Sequence, residues 1–158
     1  MVYENPSPGN KAGGISTLED KSCGCVQKGG TAPVADILEY GGRVRKPGLS
    51  LLYGPGNDLI SSTALTAAGA QMLLFTTGRG TPFGTPVPTL KVASNTDLAV
   101  RKARWIDFNT GTVAEGESLG DAAARLFELV LATAEGQPAQ NERNGCRGIA
   151  IFKDGVSL

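Results

Sequence analysis

The stretch Leu49-Ser50-Leu51-Leu52-Tyr53-Gly54-Pro55-Gly56-Asn57-Asp58 decides how the chain folds. Its first five residues form a short apolar run of the length that suits a buried strand. Gly54-Pro55-Gly56 then enforces a tight turn, and Asn57 or Asp58 stands where a helix cap belongs. Residues 59–70 are rich in Ala, Ser and Thr, the small side chains of a helix packed closely on a sheet. Residues 72–76, Met-Leu-Leu-Phe-Thr, read as the next strand. Strand, turn, helix, strand is the rhythm of a parallel α/β sheet.

Downstream, Thr77-Gly78-Arg79-Gly80-Thr81-Pro82-Phe83-Gly84 forms a loop, and residues 89–93 read as a third strand. Asn95-Thr96 opens a helix expected to run to Trp105, and Trp105-Ile106-Asp107-Phe108-Asn109 reads as an edge that buries two aromatics. The clearest helix starts at Ser118, with Asp121 three residues on. Its apolar residues Leu119, Ala123, Leu126, Phe127, Val130, Leu131 and Ala134 recur at helical spacing and predict a helix with one buried face. Ile149-Ala150-Ile151-Phe152 reads as a last strand.

Upstream, residues 1–30 are irregular and punctuated by Pro and Gly. Ser16 and Glu19 have capping-box spacing, which predicts a short helix stopped by Gly24. Residues 34–40 read as a second short helix closed by Gly41-Gly42. The expected architecture is a single α/β domain over residues 1–158, with an irregular Gly/Pro-rich region at 1–46 and a core at 47–158. That core would be a mostly parallel sheet of about four strands with helices on both faces, a Rossmann-like or flavodoxin-like variant.

Composition narrows the chemistry. Fifteen basic residues balance fifteen acidic ones, so the chain lacks the basic excess that nucleic acid or an anionic membrane surface demands. No apolar run approaches the roughly 18 residues of a spanning helix, and a cytoplasmic location is expected. Histidine is absent, which excludes Ser–His–Asp and Cys–His catalysis and His-ligated metal unless another chain segment contributes. Three cysteines, two of them at Cys23 and Cys25, make neither a disulfide framework nor a zinc knuckle, and are expected to be small buried side chains.

Three glycine-rich loops are candidate sites: residues 10–17, 54–58 and 78–84. The second opens a helix after a strand, so its free N–H groups and the helix dipole face the crevice beyond the strand's carboxyl end. The third leaves the next strand at the same edge and carries Arg79, whose planar fork suits a carboxylate. Together they can hold a small acid; equally, both can be tight connections with Asn57 or Asp58 as a helix cap. Neither loop matches a nucleotide-binding fingerprint.

Glu19-Asp20-Lys21, with Gln27-Lys28 close behind, is the densest polar group. Adjacent carboxylates can bind a hard divalent ion, and a buried lysine can act as a base. The alternative is a solvated run in which Glu19 only completes a cap. Asp107 reads as a capping residue, and the Glu142–Arg143 pair of Asn141-Glu142-Arg143-Asn144 as a loop clamp.

The string from Asn5 to Ser22, with Asn5-Pro6-Ser7-Pro8-Gly9-Asn10-Lys11-Ala12-Gly13-Gly14 at its start, resembles a signature of the altronate and galactarate dehydratase family. Pro55-Gly56-Asn57-Asp58, Phe75-Thr76-Thr77-Gly78-Arg79-Gly80-Thr81-Pro82, Trp105-Ile106-Asp107-Phe108 and Asn141-Glu142-Arg143-Asn144 are similar to the same family, in family order. The resemblance implies a hydro-lyase that removes water from a sugar acid with a divalent metal, Fe2+ before Mn2+ or Mg2+. It also implies that this chain is a C-terminal portion, inactive without an upstream segment that holds most of the metal's ligands.

On that resemblance, Asn10, Lys11, Gly13, Gly14, Ser16 and Thr17 line the polyol, together with Gly56, Asn57 and Asp58. Thr77, Arg79 and Thr81 clamp a carboxylate. Lys21, Asp20 or Lys28 supplies the base or its charge, and Glu19 or Asp20 reaches the metal. The partners implied are a small-molecule sugar acid, the remainder of the enzyme and a homo-oligomer. Gly24-Cys25-Val26-Gln27-Lys28 and the C-terminal string favour altronate, with 2-keto-3-deoxygluconate as product. Galactarate dehydration, sulfite elimination from sulfolactate and a non-catalytic acid-binding module are the alternatives.

Overall fold

The computed structural model describes residues 5–150. The chain divides into two compact units, one of Met1–Asp36 with Lys46–Ser50, the other of Ile37–Arg45 with Leu51–Leu158.

In the first unit, α1 (Pro8–Ala12) is capped by Ser7 and α2 (Leu18–Lys28) by Thr17, whose Oγ1 accepts the Asp20 N–H at 3.1 Å. Thr17, not Ser16, is therefore the cap, and Glu19 does not complete a capping box with Ser16. The helix also runs through Gly24, because a single interior glycine costs only about 1 kcal/mol. It ends at Gly29, just ahead of Gly30, which has a φ of +66°.

Residues expected to form a second helix are instead strand β1 (Val34–Leu38). Pro33 disfavours helical backbone in the residue before it, and Val34 and Ile37 are β-branched, which favours the extended form. Strand β2 (Leu49–Leu52) pairs with β1 as a two-stranded sheet, and the division between the units passes through both strands.

The second unit carries the larger sheet. Helix α3 (Asp58–Ala68) follows the glycine turn, capped by Asn57 Oδ1, which accepts the N–H groups of Leu59 and Ile60 at 3.1 and 3.2 Å. Its buried residues are Ser62, Thr63, Ala64 and Ala68, small as the sequence predicts. Strands β3 (Leu73–Thr77), β4 (Thr89–Ala93) and β5 (Phe108–Asn109) form a parallel sheet in the order β3-β4-β5, with Leu73 opposite Thr89 and Val92 opposite Phe108.

The α/β class is as expected. The single sheet of four strands is not, because β2 pairs with β1 rather than with β3. Apolar periodicity identifies a strand but says nothing about which neighbour it will join.

Every residue of the central strand β4 is buried. Helix α4 (Thr96–Arg101) packs on β4 and β5, setting Leu98 against Ala93 and Ile106 in the core. It stops short of Trp105; Lys102, Ala103 and Arg104 turn toward β5 instead. Short helix α5 (Gly111–Ala114) leads to α6 (Leu119–Ala134), capped by Ser118, and α7 (Gln140–Arg143) packs on β4.

The buried face of α6 differs from the one its apolar spacing predicts. Ala122 and Thr133 are buried and Leu126 and Leu129 half-buried, whereas Leu119, Ala123, Phe127 and Leu131 are exposed. Of the expected last strand, Ile149 and Ala150 are not in strand, and the remainder lies outside the described residues. Cys23 and Cys25 are exposed and Cys146 is half-buried, correcting the expectation of buried thiols. No helix among the described residues is long and apolar enough to cross a membrane.

Candidate functional site

A cleft of about 640 Å³ opens at the carboxyl end of β3. The cap and first residue of α3, Asn57 and Asp58, form one wall, and the loop through Thr77, Arg79, Gly80 and Thr81 forms the other. Phe75 and Phe83, with ring centroids 5.2 Å apart, supply apolar lining. Two of the three glycine-rich loops thus meet where a parallel sheet ordinarily holds its ligand. Gly56 belongs to the turn, though the cleft lining begins at Asn57.

Most polar side chains here shape the walls. Thr77 Oγ1 accepts the Gly80 N–H at 2.9 Å, and Thr81 Oγ1 accepts the Phe83 N–H at 3.2 Å. From the two caps of α4, Asn95 donates to the Gly78 carbonyl at 3.3 Å, while Lys102 Nζ donates to the Arg79 carbonyl at 2.7 Å and lies over the Trp105 ring. Gly80 has a φ of +76°, and a Cβ there would stand 2.8 Å from Leu98 Cδ1. The loop backbone is therefore fixed from several sides. The Arg79 guanidinium is exposed and pairs with no carboxylate among the described residues, which leaves its donors available to a ligand.

Beneath the cleft lie a buried and a half-buried ionisable side chain, Lys91, which sequence reading passed over, and Asp107. Lys91 on β4 is 1 % exposed, and its Nζ donates to the Phe83 carbonyl at 2.7 Å. Burial pushes its pKa below the ordinary lysine value, against the attraction of the Asp107 and Cys146 charges. Asp107 accepts the Lys91 N–H and the Gln140 N–H, both at 2.7 Å, and so satisfies a free donor at the start of α7 from 33 residues away, a capping role whose helix the sequence did not identify. Burial raises its pKa, opposed by those two hydrogen bonds and by the Lys91 and Arg143 charges.

Asn141 is wholly buried; its Oδ1 accepts the Thr89 N–H at 2.9 Å and its Nδ2 donates to the Cys146 carbonyl at 3.1 Å. Glu142 holds the Ala139 N–H at 3.0 Å and pairs with Arg147 rather than Arg143. The polar string 141–144 thus serves the fold. One signal for Lys91 was available, a lysine between Leu90 and Val92 in an otherwise apolar strand.

The first glycine-rich loop lies in the other unit. Asn10 closes the capping box of α1 with Ser7, and Lys11, Gly13, Gly14 and Ser16 lie between α1 and α2 or at their ends. Glu19, Asp20, Lys21 and Lys28 are on α2, and Lys21 Nζ donates to Asn5 Oδ1 at 2.5 Å. Glu19 and Asp20 are consecutive on a helix and do not share a face. Among the described residues no three His, Cys, Asp or Glu side chains gather as a metal site. These residues do not by themselves fit a divalent ion.

Fold and cleft together define an α/β module with a crevice lined by polar loop residues at the carboxyl end of a strand of its parallel sheet. The family model for the C-terminal part of D-galactarate/altronate dehydratase matches residues 1–157. An altronate dehydratase of Bacillus subtilis (strain 168) is 59% identical over 99% of this chain and 32% of its own length. One from Escherichia coli (strain K12) is 52% identical over 99% of the chain and 32% of its own. A galactarate dehydratase (L-threo-forming) of the same strain is 39% identical over 84% of the chain and 26% of its own. The chain belongs to the galactarate/altronate dehydratase family and spans about a third of the length of the curated relatives it matches.

Proposed function

We propose that this chain is the acid-binding portion of a sugar-acid hydro-lyase, acting on altronate to give 2-keto-3-deoxygluconate in cytoplasmic hexuronate breakdown. The observation that carries the reading is the convergence of Asn57, Asp58, Thr77, Arg79 and Thr81 on one cleft, with the Arg79 guanidinium free of any partner among the described residues. The higher identity to relatives named altronate dehydratase than to one named galactarate dehydratase favours altronate.

Elimination of water from such an acid requires removal of a proton α to a carboxylate. That step builds up dianionic enediolate charge on the carboxylate oxygens. Arg79 would grip those oxygens in a two-pronged hydrogen bond, while the N–H groups of Leu59 and Ile60 are taken by the Asn57 cap, so the start of α3 would contribute only the positive end of its dipole. Thr77 and Thr81 would hold the gripping loop in shape. Phe75 and Phe83 would exclude water and so strengthen these contacts.

The base is assigned to the polar group of α2, with Lys21 ahead of Asp20 and Lys28. In the same reading Asn10, Lys11, Gly13, Gly14, Ser16 and Thr17 contact the polyol, while Glu19 or Asp20 contributes at most part of a metal shell. A divalent ion, Fe2+ ahead of Mn2+ or Mg2+, would be held mainly by the rest of the enzyme and would supply Lewis-acid stabilisation of the enediolate. The full-length enzyme would act as a homo-oligomer.

The test is steady-state kinetics of the full-length enzyme carrying Arg79→Ala or Arg79→Lys, with altronate, galactarate and sulfolactate as alternative substrates. Loss of a charge-assisted fork is worth about 1.5–3 kcal/mol, a fall in kcat/KM of roughly 10- to 150-fold, only partly restored by lysine. Unchanged kinetics at preserved folding would show the cleft to be a set of tight connections.

A further inference from the structure

Helix α6 is apolar over more of its surface than its own fold covers. Ala122 and Thr133 are buried, with Leu126 and Leu129 half-buried beside them. Next to that face runs a second stripe of Leu119, Ala123, Phe127, Leu131 and Ala134, at helical spacing with no charge among them. Leu119 is 75% exposed, Phe127 62% and Leu131 48%. The helix's charged residues, including Asp121, Arg125 and Glu128, occupy the remaining arc. An apolar groove of about 360 Å³, bounded by Phe108, Val113 and Leu126, adjoins the stripe at Leu119 and Ala123. A helix apolar around most of its circumference belongs inside a larger core.

We propose that this stripe and groove are the docking surface for the remainder of the full-length enzyme, an apolar segment of the part corresponding to the roughly two-thirds of the relatives' length that lies outside their match to these residues. The size of the stripe selects this occupant over a second copy. Sixteen residues make a helix about 24 Å long, and a face about 10 Å wide gives on the order of 250 Å². A stable dimer needs about 800 Å² from each partner. A covalently tethered segment sees this surface at about millimolar effective concentration and needs far less area. The inference rests on the family membership and not on which acid the cleft binds.

The test places single cysteines in the full-length enzyme, Phe127→Cys and Leu131→Cys on the stripe and Glu128→Cys on the charged arc. Maleimide labelling is then read site by site by mass spectrometry. The stripe positions should label at least about tenfold more slowly than position 128, and the ratio should be unchanged by hundredfold dilution. Equal rates at all three sites would show an uncovered helix and overturn the proposal. Protection that disappears on dilution would assign the surface to a second copy and overturn it equally. Substrate saturation leaves the ratio untouched, so failure of the cleft reading and failure of this one are separable.

Discussion

Replacing Asn141 by alanine tests whether a family-like string serves structure or chemistry. The side chain is wholly buried and joins two segments, accepting from the first residue of β4 and donating to the carbonyl of Cys146. Alanine removes both partners at once and leaves a buried N–H and a part-buried C=O. The buried N–H costs about 1–3 kcal/mol and the part-buried C=O about 1–2, so the loss should be about 2–5 kcal/mol, toward the lower end if water enters the space. For a chain of this size that is a fall in Tm of roughly 5–15 °C. Asn141→Asp keeps the Thr89 contact but turns an oxygen on the Cys146 carbonyl, and should be no milder at neutral pH. Urea and thermal unfolding provide the assay, with an unchanged urea slope as the check on two-state behaviour. A loss below about 0.5 kcal/mol for Asn141→Ala would refute the reasoning, since a surface substitution does as much. So would a fall in kcat/KM per folded full-length molecule, which would place the string in the chemistry.

Further outcomes follow from the same contacts. Lys91 has a pKa lowered by burial, so the fold favours its neutral form; its contribution is complete above the unfolded value near 10.5 and is lost as pH falls through the folded value. Lys91→Met cannot charge, so the stability of the parent relative to this variant should rise with pH up to about 10.5, as read by urea titrations across that interval; a flat difference sinks the assignment. Asp107 runs the other way. Its raised pKa means stability present below about 3.8 and lost as pH rises through the folded value, a slope that Asp107→Asn should abolish. Gly80→Ala forces a β-carbon onto Leu98 at positive φ and should cost about 1–3 kcal/mol while weakening substrate affinity in the full-length enzyme.

How far the sequence carried the fold can be seen element by element. Helix α3 was legible because its cap, its small buried residues and the glycine turn before it all point the same way. Strand β4 stands at the five residues expected, 89–93. Strand β1 was not legible, since five residues of mixed exposure carry no decisive period and their extended form depends on pairing with β2. The buried side of α6 was hidden for the opposite reason. Its apolar arc is wide enough to serve two faces, so periodicity could not choose between Phe127 and Ala122. At the cleft, loop chemistry and sheet edge together predicted that residues 57–58 and 77–81 would meet. The burial of Lys91 and of Asn141 was not legible, because burial of a polar side chain is a tertiary fact, decided by partners 8 and 52 residues away.

The division of labour within the cleft loop bears directly on Arg79. Thr77 and Thr81 each accept an N–H of their own loop, Asn95 and Lys102 hold its carbonyls from α4, and Lys91 holds the Phe83 carbonyl from β4. A connection that needed only to turn the chain would require none of the last three, for a short glycine loop on a surface is satisfied by water. So many constraints on one backbone have the effect of fixing where the Arg79 Cα stands, while its guanidinium is left without a partner among the described residues. Such a charge on a fixed base loses little entropy on meeting a carboxylate, and the contact strengthens as negative charge accumulates on the acid. In the proposed function that is the property the substrate grip needs, and it is why the carboxylate is assigned there to the arginine rather than to the better-buried lysine beneath it.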